Sequence, residues 1–325
     1  MEERLLSRFS DDLDPLIAPG APIGLAVSGG PDSLALLLLA AAARPGQVEA
    51  ATVDHGFRAE AAAEGEMVAA VCARLGVPHV VLAARWAEKP ETAIQERARR
   101  ERYRLLGFWA EERRLPGLVT AHHADDQAET FLMRLARGAG VRGLAAMRAR
   151  SVAPGAHVRL VRPLLGWRRA ELEQICADAG LTPALDPSNG DDRFERARVR
   201  RALAECSWLD PAAIARAAAN LTDADKALDW AAKREWDERV KERRSSILYR
   251  PNQAPSEIVR RIVSSAIRKL ASEGDRDLRG PELARLISTL EEGGTATLRG
   301  VLCSGGSEWR FVPAPNRTRP VDNLR

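Results

Sequence analysis

Cysteine is scarce in this sequence, and no two cysteines lie close together. The 325 residues contain four of them. The absence of a CxxC pair argues against a zinc site, an iron–sulfur cluster or a disulfide framework. Isolated cysteines are typical of small buried side chains in the reducing cytosol. The four positions are Cys72, Cys176, Cys206 and Cys303.

Long apolar segments are missing as well. The longest apolar run, residues 34–43, is far too short to span a bilayer. The first ten residues are charged and lack the apolar core of a signal peptide. We therefore predict a cytoplasmic protein with no membrane partner. Its length is sufficient for two domains with cores of their own.

Positive charge is only slightly in excess. The formal net charge is +4, which is compatible with a polyanionic partner but does not require one. Arginine is concentrated at residues 97–104, 193–201 and 260–268. Each cluster could equally be a solvated helix face whose arginines pair with acidic residues one turn away.

Short β-branched segments alternate with helical segments through the first half of the chain. This rhythm predicts an α/β fold with a doubly wound, mostly parallel sheet and right-handed crossovers. In such sheets, ligands bind outside the carboxyl ends of the strands. The predicted strands are residues 23–27, 48–53, 79–82 and 118–121, and the predicted helices are 33–43, 61–75, 92–112 and 125–137.

The alternation ends beyond residue 163. We divide the chain into a first domain over residues 1–205 and a smaller, mainly helical domain over residues 206–325. Asp210 and Pro211 are typical of the N-cap and first residue of a helix. The predicted elements are helices at 169–179, 211–244, 256–272 and 280–292, and a small hairpin of 295–301 with 308–312.

A glycine-rich loop follows the first predicted strand and opens the next helix. Its two glycines allow the backbone to turn sharply and to approach a ligand closely. Free amide groups and the positive end of the helix then favour an anion, phosphate above all, and Asp32 stands where a metal bridging to phosphate could be held. The loop matches neither a Walker sequence nor GxGxxG, and the alternative is an ordinary turn. Its members are Ser28, Gly29, Gly30, Pro31, Asp32 and Ser33.

A polar segment, HHADDQAET at residues 122–130, follows the fourth predicted strand. Asp126 and Glu129 are three residues apart, so that a helix places both carboxylates on one face. Such a pair can hold a divalent metal or an ammonium group. The alternative is an acidic first turn stabilised by the helix dipole, with His122 or His123 as a packing residue.

Two further candidates lie at the second strand and on the long charged helix. His55 follows the strand and could be a general base or a loop residue satisfied by hydrogen bonds. Arg99 and Arg102 share a helix face. They could neutralise a phosphate or simply pair with Glu96 and Glu101.

The last candidate combines the tetrapeptide Asp-Pro-Ser-Asn, residues 186–189, with two arginines downstream. By itself the tetrapeptide is typical of a turn with an Asx-type hydrogen bond. Arg196 and Arg200 are four residues apart and share a helix face. Because a guanidinium group offers planar, bidentate donors, the two arginines suggest contact with phosphate.

Taken together, these segments resemble the PP-loop (N-type) ATP pyrophosphatases, and within them the bacterial tRNA(Ile)-lysidine synthetases. The likeness covers about residues 20–205. SGGxDS is shared by the whole superfamily, whereas HHADDQAET and the DPSN-to-arginine segment are specific to the lysidine branch. The segments that carry it are SGGPDS at 28–33, DHGFR at 54–58, ARRERY at 98–103, HHADDQAETFLMRLARGAGVRGLAAM at 122–147, RPLL at 162–165 and DPSNGDDRFERARVR at 186–200.

The resemblance implies an ATP-dependent ligase that joins L-lysine to C2 of the wobble cytidine of an isoleucine tRNA with a CAU anticodon. ATP would adenylate the C2 oxygen and release pyrophosphate, and the lysine amine would then expel AMP. By the same resemblance, residues 28–33 cradle ATP, Asp32 helps to hold Mg²⁺, and Asp126 and Glu129 orient lysine. The candidate catalytic residues are Asp32, His55, Asp126 and Glu129, and the candidate phosphate- or tRNA-binding residues are Arg99, Arg102, Asn189, Arg196 and Arg200.

Several alternatives stay open beside this resemblance. A PP-loop tRNA thiolase would need catalytic cysteines or a cluster-binding CxxC, and we expect none of the four cysteines to be placed near the loop for that purpose. A nucleotide-binding module without turnover would not need the acidic segment at residues 125–129. Residues 206–325 could be a tRNA-binding module or a helical packing domain. We expect no separate domain beyond them, and a homodimer is possible.

Overall fold

The computed structural model describes residues 1–56, 60–86, 94–154, 157–184, 195–271, 278 and 280–315. The chain forms two compact units, Met1–Thr222 and Asp223–Arg325. The division falls inside a long helix, α9 (Pro211–Arg239). Asp210 caps this helix as predicted, because its carboxylate accepts hydrogen bonds from the amides of Ala212 and Ala213 at 3.0 and 3.1 Å.

The first unit is built from a sheet with helices, as the alternating pattern predicts. Its strands are β1 (Ile23–Ala26), β2 (Val48–Asp54), β3 (His79–Ala83), β4 (Leu118–Val119), β5 (Arg150–Val152) and β6 (Arg159–Val161). Its helices are α1 (Glu3–Leu13), α2 (Pro31–Ala43), α3 (Glu60–Leu75), α4 (Ile94–Glu112), α5 (Ala124–Leu135), α6 (Val141–Leu144), α7 (Arg169–Asp178) and α8 (Glu195–Glu205), with a 3₁₀ helix at Pro163–Gly166.

The strand order of this sheet is β3-β2-β1-β4-β6-β5. All neighbouring strands are parallel except β5, which runs antiparallel to β6. The predicted α/β fold with a mostly parallel sheet is therefore confirmed. The chain leaves β1 in one direction through β2 and β3 and returns on the other side as β4. Because the order reverses between β1 and β4, a crevice forms at the carboxyl ends of these two strands.

Helix α2 lies in the core of the first unit. Residues 33–40 are all buried, since the helix packs against α1, α3 and α7 as well as against β1 and β2. A helix that is apolar around its whole circumference is stable only in such a position. The glycine loop that precedes α2 is therefore attached to the most firmly packed helix of the unit.

The second unit contains a five-stranded antiparallel sheet beside its helices, with strand order β7-β8-β11-β10-β9. The sequence predicted a helix up to residue 244 and only the terminal hairpin. Instead, α9 ends at Arg239 and the chain turns back as a hairpin. The further elements are β7 (Val240–Arg243), β8 (Ser246–Tyr249), α10 (Ser256–Leu270), α11 (Gly280–Glu291), β9 (Thr295–Leu298), β10 (Val301–Ser304) and β11 (Trp309–Pro313).

None of the helices in the described part of the chain combines the length and the apolar composition needed to cross a bilayer.

Candidate active site

The glycine loop folds back on itself between β1 and α2. The amide of Ser28 donates a hydrogen bond to Ser33 Oγ at 3.1 Å, and this hydroxyl donates to the carbonyl oxygen of Gly30 at 3.0 Å. Gly30 is the N-cap of α2 and has no side chain with which to cap it. Because the first amides of a helix have no acceptor within the helix, they are available to an anion in front of the loop.

The two glycines of the loop serve different purposes. Gly29 has φ +82°, a conformation that side chains disfavour, and a Cβ here would lie 3.2 Å from Met67 Cε. At Gly30 the only atom of the described residues near a Cβ would be Ser28 Oγ, at 3.8 Å. None of these residues therefore crowds the face of Gly30.

His123 connects the glycine loop with the acidic segment after β4. Its Nε2 lies 3.5 Å from Asp32 Oδ2 and 3.6 Å from Asp126 Oδ2, and its Nδ1 lies 3.6 Å from Asp125 Oδ2. The imidazole is buried. Since β1 and β4 are neighbours in the sheet, the loops at their carboxyl ends meet, and His123 stands between them.

The surrounding carboxylates determine the charge of His123. Burial alone would lower the pKa of the imidazole, but its contacts with Asp125, Asp32 and Asp126 outweigh this and raise the pKa to about 10. The side chain is therefore an imidazolium at neutral pH. In that form both ring nitrogens donate, so Nδ1 faces the Asp125 carboxylate rather than accepting the amide of Asp126 at 3.4 Å.

Asp125 fixes the start of α5 to the segment before α7. Its carboxylate accepts from Arg168 Nη2 at 3.1 Å and from the amide of Arg169 at 2.8 Å. Burial raises the pKa of this carboxyl, but the bonds to His123, Arg168 and Arg169 outweigh it and hold the pKa well below its usual range. Asp125 is therefore a permanently ionised anchor.

Glu129 is paired with arginines, whereas Asp126 is paired with His123. The buried Glu129 carboxylate accepts from Arg200 Nε at 2.6 Å and lies 3.5 Å from Arg196 Nε. Arg196 also donates to Thr130 Oγ1 at 3.2 Å. The two predicted arginines of α8 thus meet the predicted glutamate of α5, a contact between segments 71 residues apart.

Arg99 and Arg102 lie on α4, the helix that packs against β2 and β4. Their guanidinium carbons lie 5.0 and 5.2 Å from the centre of the Tyr103 ring. The predicted alternative, pairing with Glu96 and Glu101, is not seen among the described residues, because Glu101 pairs with Arg104 at 2.7 Å. Both arginines therefore keep their charge available for an anion.

Comparisons with known proteins fit this geometry. A family profile described as "PP-loop domain" matches residues 1–206. The chain is 49% identical to a tRNA(Ile)-lysidine synthase of Novosphingobium aromaticivorans, covering 95% of this chain and 94% of that protein. It is 44% identical to a tRNA(Ile)-lysidine synthase of Zymomonas mobilis, covering 92% and 90% of the two chains.

The chain belongs to the tRNA(Ile)-lysidine synthase family of PP-loop proteins. The predicted resemblance is thereby confirmed, as is the prediction that the protein is an enzyme of the ligase class. A solved structure, the U34-tRNA thiolase NcsA from Methanococcus maripaludis with its [4Fe-4S] cluster, matches with a TM-score of 0.57 at 17% identity over 68% of this chain and 79% of that chain. At this identity the match supports the shared fold alone.

The structure brings together some of the site residues that the sequence predicts. Asp32 and Asp126 meet at His123, and Glu129 meets Arg196 and Arg200. His55 lies after β2, where its carbonyl oxygen accepts from Trp86 Nε1 at 2.9 Å, and its role as a base stays a prediction. Asn189 lies outside the described residues.

Sequence reasoning missed the part that His123 has in this site. It treated His122 and His123 alike, as packing residues. In the structure His122 Nδ1 bonds to Thr120 Oγ1 at 2.9 Å, whereas His123 faces the carboxylates. The available signal was the position of His123 at the N-cap of α5, three residues before Asp126, whose carboxylate accepts the His123 amide at 3.3 Å.

Cys176 lies beside the glycine loop, a position that the sequence did not predict. Its Sγ donates to the carbonyl oxygen of Pro31 at 3.2 Å. Burial, followed by the charge of Asp32, raises the pKa of this thiol to about 11. A thiol of this kind is inert, because the thiolate is the reactive form.

Proposed function

We propose that this protein joins L-lysine to C2 of the wobble cytidine of an isoleucine tRNA with a CAU anticodon, using ATP and releasing AMP and pyrophosphate. The observation that carries the proposal is the meeting of Asp32, from the phosphate loop, with Asp126, from the lysidine-branch segment, at His123. The loop proposed to bind ATP and the segment proposed to bind lysine thus line the same crevice. Membership of the tRNA(Ile)-lysidine synthase family supports the same reaction. We place the reaction in the cytoplasm.

Two substitution steps account for the products, and each forms one bond and breaks another. The C2 oxygen of cytosine attacks the α-phosphorus of ATP, and the bond to pyrophosphate breaks. The lysine amine then attacks C2 and loses a proton, and AMP leaves with the former C2 oxygen. Activation is necessary because C2 of cytosine is a poor electrophile. The loop of residues 28–33 binds the phosphates through backbone amides other than that of Ser28, which donates to Ser33 Oγ, and Pro31, which has no N–H.

The residues present fit a magnesium ion. Asp32 Oδ1 is buried and has no hydrogen-bond partner among the described residues, which leaves a carboxylate oxygen for a cation. No group of three or more metal-ligating side chains occurs in the part of the chain that the structure describes. This agrees with Mg²⁺, which is commonly held by one or two carboxylates together with substrate phosphates. Asp32 would hold it together with the phosphates of the substrate, and the ion would neutralise phosphate charge.

The two carboxylates predicted to orient lysine differ in what they can offer. Glu129 is already neutralised by Arg200 and Arg196, whereas Asp126 faces the crevice beside His123. We therefore assign the ammonium contact of lysine to Asp126. Glu129 then orients Arg196 and Arg200 toward phosphate groups of ATP or tRNA.

A PP-loop thiolase is the second candidate, because the NcsA fold is similar. Its chemistry would need a reactive cysteine. Burial raises the pKa of Cys72 to about 11 and that of Cys303 to about 12, and Cys176 is similarly inert. These three thiols therefore disfavour sulfur transfer.

The test is pyrophosphate release from ATP by the full chain, with and without lysine and a CAU-anticodon tRNA. We expect release that needs the tRNA, and mass spectrometry of the nucleosides should show a cytidine heavier by one lysine minus water. Asp126→Asn and Glu129→Gln should abolish lysine incorporation, whereas the exposed control Asp223→Asn should leave it unchanged. ATP binding without turnover on any tRNA would contradict the proposal, as would full activity of both variants.

A further inference from the structure

A second group of cationic and polar side chains lies at the carboxyl ends of β4 and β6. Arg99, Arg102 and Tyr103 come from α4, His122 follows β4, and Arg162 follows β6. In the sheet, β6 and β1 flank β4 on opposite sides. The group adjoins the acidic segment, because the charges of Asp126 and Arg196 act on Arg99.

Two buried donors form the inner part of this group. Tyr103 is fully buried, and its phenol oxygen lies close enough to the Arg162 guanidinium group to raise the pKa of that arginine, but its O–H has no acceptor among the described residues. Arg162 is 7% exposed, and its Nη1 donates to the carbonyl oxygen of Arg148 at 2.8 Å and to Ser151 Oγ at 3.0 Å. Its Nε, by contrast, has no partner among these residues. Buried donors without an acceptor are rare and costly, so their presence calls for an acceptor from elsewhere.

The outer part consists of two arginines stacked on the same ring. Arg99 is exposed and Arg102 is half-buried, and both guanidinium groups lie about 5 Å from the Tyr103 ring centre. No carboxylate lies within ion-pair distance of Arg99, Arg102 or Arg162 in the described part of the chain. Burial lowers the pKa of Arg162, Tyr103 partly offsets this, and the charge of Arg99 lowers it further. Three positive charges are thus gathered with no carboxylate within ion-pair distance in the described ranges of the chain.

His122 is electrically neutral among these charges. Burial, followed by the charges of Arg162, Arg102, Arg99 and Arg196, lowers its pKa well below the usual range. Burial is the larger cause, and the four guanidinium charges act in the same direction. An anion would offset these charges.

We propose that Tyr103 and Arg162 form the floor of an oxyanion-binding site, with Arg99 and Arg102 at its mouth. The choice of ligand rests on the proposed function, whose small substrates and products offer two oxyanions, the carboxylate of lysine and the phosphates of ATP or pyrophosphate. Both accept hydrogen bonds from a phenol and a guanidinium group. The exposed Arg99 side chain is the part that must move to admit them.

The depth of the donors favours a small ligand over the tRNA backbone. A backbone phosphate is flanked by two sugars and is contacted from the surface of a groove. A terminal carboxylate or phosphate can instead enter end-on and reach donors that are more than nine-tenths buried. The site would therefore hold one end of a small substrate while the phosphate loop holds another group.

The test uses calorimetric titration of the full chain and its Tyr103→Phe variant. With a saturating non-hydrolysable ATP analogue present, L-lysine and cadaverine, which lacks the carboxylate, are titrated separately. Inorganic pyrophosphate is titrated without the analogue. We expect the variant to weaken one oxyanion ligand about tenfold, because it loses one hydrogen bond to a charged group. Cadaverine should bind both proteins equally.

The pattern identifies the source of the oxyanion. Weaker lysine binding with unchanged cadaverine assigns the site to the carboxylate, and weaker binding of pyrophosphate or the analogue assigns it to phosphate. Unchanged affinity for all of these ligands, or an effect on tRNA alone, would overturn the proposal. If the wild type neither binds lysine nor modifies tRNA, the proposed function fails, but the pyrophosphate titration still tests the site.

Stability measurements separate this role from a structural one. Tyr103→Phe removes an unpartnered hydroxyl, so its melting temperature should stay the same or rise. Tyr249→Phe is the matched control, because Tyr249 is also buried but its hydroxyl donates to Glu235 at 3.1 Å. It should melt lower and bind every ligand normally. A lower melting temperature for Tyr103→Phe with normal titrations would contradict the oxyanion site.

Arg162→Lys, which keeps the charge but loses Nε, should repeat the selective loss of affinity.

Discussion

His123 holds together three carboxylates that would otherwise repel one another. Asp32, Asp125 and Asp126 each approach its ring within 3.6 Å. The negative charges of these carboxylates stabilise the imidazolium form, and this explains why the pKa of a buried imidazole is raised instead of lowered. The imidazolium therefore offsets part of the negative charge that the three carboxylates bring to the crevice.

The pH dependence of stability tests the charge of His123. The folded pKa of about 10 lies above the unfolded value of about 6.5. Its contribution is therefore fully present below about pH 6.5 and is lost as the pH rises toward 10. We expect His123→Gln to lower the free energy of unfolding by on the order of 3 kcal/mol at pH 6.5, and by progressively less toward pH 10. Urea unfolding of both proteins across this range provides the measurement, and a constant difference would contradict the charged state.

Sequence reasoning could assign Asp126 and Asp32 to a site, but not the histidine between them. A pattern of residue types shows which carboxylates share a helix face. It does not show which of two adjacent histidines turns toward another loop, because that depends on how β4 ends. The same limit applies to Glu129, whose partner Arg200 is 71 residues away.

At the scale of elements, the position of α5 depends on the segment before α7. The amide of Ala124 donates to the carbonyl oxygen of Trp167 at 2.8 Å, and Asp125 is bound by Arg168 and by the amide of Arg169. Trp167 is itself buried and donates to Asp12 of α1 at 2.8 Å. Three helices thus fix the turn that presents Asp126.

Asp125→Asn should therefore affect mainly stability, whereas Asp126→Asn should affect mainly turnover. Because Asp125 is an anchor, its variant should lower the free energy of unfolding by about 1–2 kcal/mol, allowing for the exposure of Arg168, and reduce turnover only in part. The folded pKa of Asp125 lies below its unfolded value of about 3.9, so its contribution is present above about pH 4 and lost as the pH falls. Asp126→Asn should abolish turnover with a smaller change in stability. Urea unfolding and pyrophosphate release compare them, and equal stability losses would refute the distinction.

At the scale of the whole molecule, the two units were predictable to different degrees. The first has uninterrupted strand–helix alternation, and each strand is bounded by a turn. In the second, the hairpin β7–β8 follows α9 without a break, and its turn at Arg244 and Ser245 lacks glycine, proline or asparagine. Lysine, glutamate and arginine at residues 241–244 favour a helix, and only tertiary pairing with β11 makes this region a sheet.

A buried arginine provides the test of the second unit. Arg261 of α10 is 5% exposed and bonds to Asp225 at 2.5 Å, to Asp229 at 2.6 Å and to Glu257 at 2.9 Å. Because Asp225 is also buried, Arg261→Met removes a guanidinium group that lies 2.5 Å from its carboxylate in a region of low exposure. We expect Arg261→Met to destabilise this unit by about 3–5 kcal/mol.

The effect should remain within one unit if the two are independently packed. Hydrogen exchange should then show lost protection in α10 and in the β8–β11 pairing, while α2 and β1 keep theirs. Affinity for a non-hydrolysable ATP analogue should stay at the wild-type value, because the phosphate loop rests on the core of the first unit. Loss of protection throughout α2 would show instead that the chain unfolds as a single cooperative body, and that the division inside α9 has no energetic meaning.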